Sequence, residues 1–524
     1  MSITITLVLV LLAITAFVAS LATRIRIPYA ILLVLVGVIL GLIPGLPRVT
    51  VEPDLILLLF LPPLVYASAW QTSWREFRSN LRPILLLSVG LVLATTTVVA
   101  VVAHFVIGLP WPVAFVLGAV LSPTDAVAAS ATAQSMGLSR RIVTILEGES
   151  MINDATGLVV YRFAVAAVVT GTFSLWQASL QFFIVSLGGL LLGLVLAWPI
   201  AWLHRHLDDA SIEITITLMT PYAAYLLAEE LHISGVLAAL SAGLYLSRQS
   251  SRFFSANTRL QANAVWNVLT FLLNGLLFLL IGLQWRTILE SIASKSFGSV
   301  LGEAALASVS VIVIRVVWVF LATYMSRLLS PRLQTRDPSP GWRNVVVISW
   351  TGLRGGISLA AALALPVVIA TGQTFPDRNL IIELTFGVIL ATLVGQGLSL
   401  IPLVRLLRLQ AGTAHGEELQ QARLEAAHAA LTRVEELAQM DGVDSSFLAY
   451  LRAHYEQQVQ RCLDPLNDAG QGLLIEQGMT HQHIRADVLQ AERTAVIVLR
   501  DKGHIDDEVL RVIEREFDLE EQRL

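Results

Sequence analysis

The 524-residue chain has little charge and almost no cysteine. Asp, Glu, Lys and Arg make up 14% of its residues, whereas a soluble domain has about 25%. Most of the chain is therefore expected to face lipid or other helices. The single cysteine, Cys462, excludes an intramolecular disulfide and a cysteine-rich metal site. The sequence also lacks nucleic-acid-binding and nucleotide-binding signatures and the His-Glu-x-x-His and Gly-x-Ser-x-Gly motifs. We therefore expect no enzymatic activity, no cofactor and no nucleic-acid partner.

Apolar residues are abundant, at 55% of the chain, and they form runs long enough to cross a bilayer as helices. The first run lacks a basic leader and a clear cleavage site, so we interpret it as a retained helix. An odd number of spans places the two ends of the chain on opposite sides of the membrane. The pattern predicts an all-α polytopic protein with thirteen spans, at residues 3–22, 29–46, 54–70, 83–108, 112–135, 141–170, 176–203, 211–230, 233–247, 262–284, 300–325, 344–370 and 379–404.

Basic residues are unevenly distributed between the two alternating sets of connections. One set contains 17 Lys and Arg and the other contains 4. Because Lys and Arg near span ends stay cytoplasmic, the N-terminus is predicted outside and the C-terminus inside. From Ala411 onward there are 11 Lys and Arg against 22 Asp and Glu. The sequence therefore predicts a transmembrane domain at 1–408 and an acidic cytoplasmic domain at 409–524.

This tail shows helical periodicity over residues 484–499 and 506–517. Six of the ten histidines lie in it, and histidine titrates near neutral pH. A pH-sensing domain and a solvated helical domain that aids assembly both fit this composition.

Two predicted spans are interrupted by residues that break helices. The fifth contains Ser122-Pro123-Thr124-Asp125, and the twelfth contains Thr351-Gly352-Leu353-Arg354-Gly355-Gly356. Unpaired backbone at membrane depth persists only where protein buries it or a wet cavity borders it. The two breaks correspond if residues 1–170 and 211–405 are inverted repeats, an arrangement typical of secondary transporters.

The sixth span contains charged residues in its middle, which is costly and indicates a functional site. In a helix, Glu147, Ser150, Asp154 and Gly157 fall near one face. Burial favours the neutral form of a carboxylate, so a proton and a cation can compete for Asp154. Ser150 would offer a neutral oxygen one turn away. The alternative is a structural aspartate that pairs with an arginine or caps a broken helix.

The breaks supply further candidates. Thr124 is predicted to coordinate an ion, because unwound backbone and hydroxyl groups offer the oxygen ligands that hard cations prefer. Asp125 could be a ligand or could cap the following half-helix. Arg354 needs a buried anion, and Glu149 is the predicted partner. The partners of the intramembrane Arg162 and Arg315 stay open, with Glu147, Glu303 and Glu383 as candidates.

The broken spans and the sixth span belong to a set of four motifs that occur in order along the chain. They are Phe60-Leu61-Pro62-Pro63, Ser122-Pro123-Thr124-Asp125-Ala126-Val127, Glu149-Ser150-Met151-Ile152-Asn153-Asp154 and Gly352-Leu353-Arg354-Gly355-Gly356. These motifs, in the expected spans, resemble those of the cation/proton antiporter-1 family, the sodium/proton exchangers, in their bacterial form. The resemblance covers about residues 1–405.

The resemblance implies a homodimer of thirteen-helix protomers in the bacterial inner membrane, which exchanges Na⁺ or Li⁺ for H⁺ by alternating access. It implies that Asp154 binds the cation or the proton, with Ser150 and Thr124 as further ligands of the monovalent cation. Asp125 and Asn153 would stabilise the crossing of the broken helices. The Asn153–Asp154 pair implies electroneutral exchange.

Ala67 departs from the pattern, because many relatives have an acidic residue at this position. Tyr66 or Ser68 could substitute with a neutral oxygen. The missing carboxylate leaves a K⁺/H⁺ antiporter of the same fold as an alternative, and a cation channel as a further one.

Overall fold

The computed structural model describes most of the chain. The described residues are 2–25, 27–43, 53–125, 127, 129–130, 133, 138–171, 174–292, 297–328, 340–369, 373–408, 414–439, 444–463 and 478–521. Within them the secondary structure is helical, apart from one isolated β-bridge between Val368 and Thr374. Ala126 and the predicted domain boundary at residue 409 lie outside the described residues.

Sixteen helices precede the tail in the described part of the chain. They are α1 (Ser2–Ile25), α2 (Tyr29–Gly41), α3 (Pro53–Gln71), α4 (Trp74–Ser79), α5 (Leu81–Ile107), α6 (Trp111–Leu121), α7 (Arg140–Thr170), α8 (Leu175–His204), α9 (Ala210–Glu230), α10 (Gly235–Phe253), α11 (Ala256–Leu283), α12 (Trp285–Ile292), α13 (Phe297–Leu328), α14 (Trp342–Trp350), α15 (Gly356–Leu363) and α16 (Arg378–Leu407).

Eight of these helices are long and apolar enough to cross a membrane: α1, α5, α7, α8, α9, α11, α13 and α16. Several others are apolar but shorter, among them α2 and α6. A polytopic all-α membrane protein is therefore confirmed. The count of thirteen spans stays a prediction, because length and composition identify only the uninterrupted spans.

Both predicted helix breaks are confirmed. Helix α6 ends at Leu121 and residues 122–125 are not helical. Helix α14 ends at Trp350, and α15 begins at Gly356 after an extended Gly355. The short α6, α14 and α15 are thus pieces of interrupted spans, as the proline and glycine residues indicated.

The membrane helices pack as two groups. The first group contains α1–α3 and α8–α11, and the second contains α5–α7 and α13–α16. Small residues allow close packing within a group, as is common between membrane helices. A Cβ atom on Gly282 of α11, for example, would lie 2.2 Å from the Val34 carbonyl oxygen of α2. The groups meet where α3, α10 and α11 contact α7 and α15.

The tail forms four described helices: α17 (Ala414–Leu437), α18 (Ser445–Leu463), α19 (Gly478–Asp501) and α20 (Asp507–Glu521). The helical periodicity predicted for 484–499 and 506–517 is confirmed by α19 and α20. The apolar side chains of α17, α19 and α20, such as Ala422, Leu489 and Ile513, share one small core.

Candidate functional site

The two broken spans touch at their breaks. The Asp125 backbone N–H donates to the Leu353 carbonyl oxygen at 2.8 Å. The Asp125 carboxylate accepts a hydrogen bond from the Val127 N–H at 2.8 Å, which caps the backbone after the first break. Position 355 must be glycine here, because a Cβ atom would lie 2.0 Å from Asp125 Oδ2. Asp125 therefore holds the crossing together, and it also borders the cavity described below.

Arg354 lies fully buried in the second break. Its Nε donates to the Leu121 carbonyl oxygen at 2.8 Å and its Nη1 to the Gly352 carbonyl oxygen at 2.7 Å. Leu121 is the last residue of α6, where carbonyl groups lack helical partners and the helix dipole is negative. The guanidinium thus neutralises backbone carbonyls at the crossing.

The predicted Glu149–Arg354 ion pair is wrong. Glu149 pairs with Arg315 of α13 through two contacts of 2.5 and 2.9 Å, and both side chains are 1% exposed. Such a two-point contact is the favourable geometry for guanidinium and carboxylate. The physical reason for the error is that Arg315 and Arg354 are both buried and both could pair with Glu149. Arg315 forms the ion pair, and Arg354 donates to backbone carbonyl oxygens instead.

Glu149 also begins a chain of polar contacts that reaches the first break. The Thr124 hydroxyl donates to Glu149 Oε1 at 2.8 Å and accepts from Asn153 Nδ2 at 2.6 Å. The Ser150 hydroxyl donates to the Thr124 carbonyl oxygen at 3.0 Å. The first break and the middle of α7 are therefore joined through Thr124.

Arg162, the other intramembrane arginine without an assigned partner, pairs with Glu229 of α9 at 2.7 Å. Glu229 was not among the candidates from the sequence. It is the penultimate residue of its helix, and nothing in its local sequence indicates that it faces Arg162.

Asp154 borders a cavity of about 260 Å³ between the two helix groups. Glu147 and Ser150 border the same cavity, as predicted. Gly157, the fourth residue of the predicted face, packs against the Pro123 ring instead. Asp154 is 6% exposed. Among the described residues, no hydrogen bond or salt bridge engages its carboxylate, and the arrangement therefore leaves both oxygens to a proton or a cation.

The opposite wall of the cavity is formed by α3 and α11. Ala67 and Ser68 border the cavity, whereas the buried Tyr66 ring packs against Trp70 and Trp266. Of the two neutral substitutes considered above, Ser68 is thus the one at the cavity. The sequence interpretation missed Asn274, a buried amide of α11 on the same wall. An isolated asparagine within an apolar run was the available signal.

The chain was compared with known protein families and structures. Residues 9–406 match the family model described as "Sodium/hydrogen exchanger, transmembrane". An uncharacterized Na⁺/H⁺ exchanger of Mycobacterium tuberculosis is 39% identical over 505 residues, covering 96% of this chain and 92% of that protein. A sodium, potassium, lithium and rubidium/H⁺ antiporter of Bacillus subtilis is 36% identical over 400 residues, covering 74% and 59%.

The fold also has a counterpart among solved structures. The sodium proton antiporter MjNhaP1 from Methanocaldococcus jannaschii superposes with a TM-score of 0.60 at 20% identity, covering 75% of this chain and 98% of that one. This likeness confirms the antiporter fold. Because the family model spans most of the chain, the protein belongs to the sodium/hydrogen exchanger family.

Proposed function

We propose that the chain is a secondary active antiporter that exchanges protons for Na⁺ or Li⁺, with Asp154 binding the cation and the proton in turn. The observation that carries this proposal is the Asp154 carboxylate, which is buried on the cavity wall without a partner among the described residues. A carboxylate in this position is stable only when a proton or a cation neutralises it. Competition between the two ligands couples their movements.

Neutral oxygens complete the proposed cation site. Ser150, one turn before Asp154, borders the cavity and keeps lone pairs on its hydroxyl oxygen while its proton is donated to Thr124. Thr124 also borders the cavity with neutral oxygens, whereas the Asp125 carboxylate on the same cavity accepts from the Val127 N–H. Such oxygens suit a hard monovalent cation, and the transported ions need no resident cofactor.

We further propose that the exchange is electroneutral. Asn153 is neutral and uses its amide to hold Thr124, so Asp154 is the only carboxylate of the Asn–Asp pair that can titrate. Asn153→Asp should add a second titratable group. The measurement is the dependence of exchange on an imposed membrane potential in proteoliposomes, which should be absent in the wild type and appear in the variant.

Alternating access would operate between the two helix groups, because the cavity lies where they meet. We place the protein in the bacterial plasma membrane as a homodimer, with inverted repeats at 1–170 and 211–405. The N-terminus would lie outside and the 409–524 domain in the cytoplasm. The uneven distribution of arginine between alternating connections supports this orientation.

A K⁺/H⁺ antiporter is the second candidate. The observation that favours it is the neutral wall of Ala67, Ser68 and Asn274 opposite Asp154, since one carboxylate fewer weakens the preference for a small, strongly hydrated cation. The relative named for sodium, potassium, lithium and rubidium is consistent with broad selectivity. Parallel concentration series with Na⁺, Li⁺ and K⁺ in one vesicle preparation would distinguish the candidates.

The central test is exchange in everted membrane vesicles. Added Na⁺ should dissipate a preset pH gradient with the wild type and not with Asp154→Asn. Glu303→Gln is the matched control, because it makes the same type of change at a half-buried carboxylate of α13 that does not border the cavity. Exchange retained by Asp154→Asn would exclude Asp154 as the carrier. Currents without coupled proton movement would instead indicate a channel.

A further inference from the structure

The last tail helix, α20, lies against the membrane helices, near the part of the cavity that Gln71 and Glu147 border. On the first helix group it binds the end of α3. Arg511 donates from Nη1 to the Trp70 carbonyl oxygen at 2.9 Å and from Nη2 to the Gln71 carbonyl oxygen at 2.5 Å. These bonds satisfy carbonyls that a helix end leaves unpaired. Since Gln71 borders the same cavity as Asp154, α20 is fixed directly to the cavity wall.

Two further contacts strengthen this attachment. The Trp74 backbone N–H donates to Asp507 Oδ2 at 2.8 Å, so an acidic tail residue lies at the start of α4. Arg259 near the start of α11 donates to Asp518 with distances of 2.7 and 3.3 Å, and the two side chains are 8% and 2% exposed. Breaking such a buried pair is costly. Helix α20 is therefore firmly anchored on the first helix group.

The same tail segment also binds the second helix group. Arg140, the first residue of α7, forms ion pairs with Asp506 at 3.3 Å and with Glu508, in addition to Glu76. Helix α7 also carries Asp154, about two turns beyond Glu147. Glu508 is about half exposed, and ion pairs with exposed partners contribute little individually. The pair with Asp506 is largely buried instead, since Arg140 is 20% and Asp506 4% exposed, so the tail also holds α7.

We propose that residues 506–518 form a strap that holds the two cavity walls together and limits the rate of exchange. The inference rests on the proposed function, because alternating access requires the two groups to move relative to each other. The strap must release one of the two walls when they separate, so weakening either attachment lowers the barrier to that movement and accelerates exchange.

The test uses the full-length protein in proteoliposomes. Arg511→Ala removes the two bonds to α3 and should raise the Na⁺-dependent exchange rate about threefold to tenfold, equivalent to one net hydrogen bond. Glu508→Gln should give a smaller increase. The double variant should be no faster than the faster single variant, because the strap no longer joins the two walls once either end is released. Arg515→Ala is the matched control, because Arg515 is exposed and lies one turn further along α20. Within the described part of the chain, no hydrogen bond or ion pair joins its side chain to a membrane helix.

Hydrogen exchange of the α20 amides provides a second measurement, and it should become faster in Arg511→Ala. Faster amide exchange with an unchanged or lower transport rate would show that the tail only supports the fold, and would overturn the strap. Unchanged amide exchange would overturn it as well, because the bonds would then not hold α20. Absence of Na⁺/H⁺ exchange in the wild type would contradict the proposed function, while the amide measurement would still report whether α20 is held.

Discussion

The buried Glu149–Arg315 pair allows a prediction that separates structural from transport roles. Arg315→Leu removes the guanidinium that contacts Glu149 at 2.5 and 2.9 Å and leaves a carboxylate that is 1% exposed without its cation. Removal of one partner from a buried ion pair costs about 3–5 kcal/mol. We expect this loss for Arg315→Leu and for Glu149→Leu alike.

The double variant should recover much of that loss, because replacing both partners of a buried pair by apolar residues is often close to neutral. About 1–2 kcal/mol should remain lost, since Ile348 and Thr124 lose their partners at the site. The measurement is unfolding of the purified protein by titration with sodium dodecyl sulfate in mixed micelles. Exchange should stay impaired in the double variant, because Thr124 is no longer held by Glu149.

Arg162→Leu is the matched control for this cycle. It removes a guanidinium from a pair with Glu229 whose side chains are 48% and 30% exposed, and exposed pairs contribute about 0–1 kcal/mol. Equal losses of stability for Arg315→Leu and Arg162→Leu would refute the reasoning. Purely additive losses for Arg315→Leu and Glu149→Leu would refute it too.

Two other predictions concern the crossing and the tail. Gly355→Ala places a Cβ atom 2.0 Å from Asp125 Oδ2, so it should lower stability by about 1–3 kcal/mol and impair exchange in vesicles. Gly302→Ala, inside α13 with no neighbouring atom within 4 Å, should leave exchange unchanged and should not lower stability, because alanine favours a helix over glycine. Burial, with a smaller contribution from the charge of Glu520, raises the pKa of Glu492 from 4.5 to about 9. The folded tail therefore binds this proton more tightly than the unfolded tail, and its stability falls as pH rises from about 4.5 to 9. Glu492→Gln should accordingly slow amide exchange of α19 relative to the wild type at pH 8 and leave it unchanged at pH 4; slower exchange at both values would contradict this account.

Local sequence was sufficient for the helix breaks, for one helix face and for the last two tail helices. The breaks in the fifth and twelfth spans were predictable because proline and glycine act on their own backbone. The shared face of Glu147, Ser150 and Asp154 followed from the helical period, and these residues border one cavity. Tail helices α19 and α20 followed from periodicity in the same way.

Contacts between distant segments could not be predicted in this manner. The choice between Tyr66 and Ser68 depended on the rotation of α3 against its neighbours, which its mostly apolar sequence does not reveal. Asn274 faces the cavity because of how α11 packs. The docking of Arg511 on Trp70 joins residues separated by 441 positions, and neither local sequence indicates the other.

The sequence by itself determined that this is a membrane protein with broken spans and a deep carboxylate at Asp154, because composition, helix breaking and helical period are local properties. The tertiary structure alone decided the partners of the buried charges. Glu149 had two arginines to choose from, and it pairs with Arg315, 166 positions away. That choice depends on which helices lie side by side, since only adjacent helices bring the guanidinium and the carboxylate into contact.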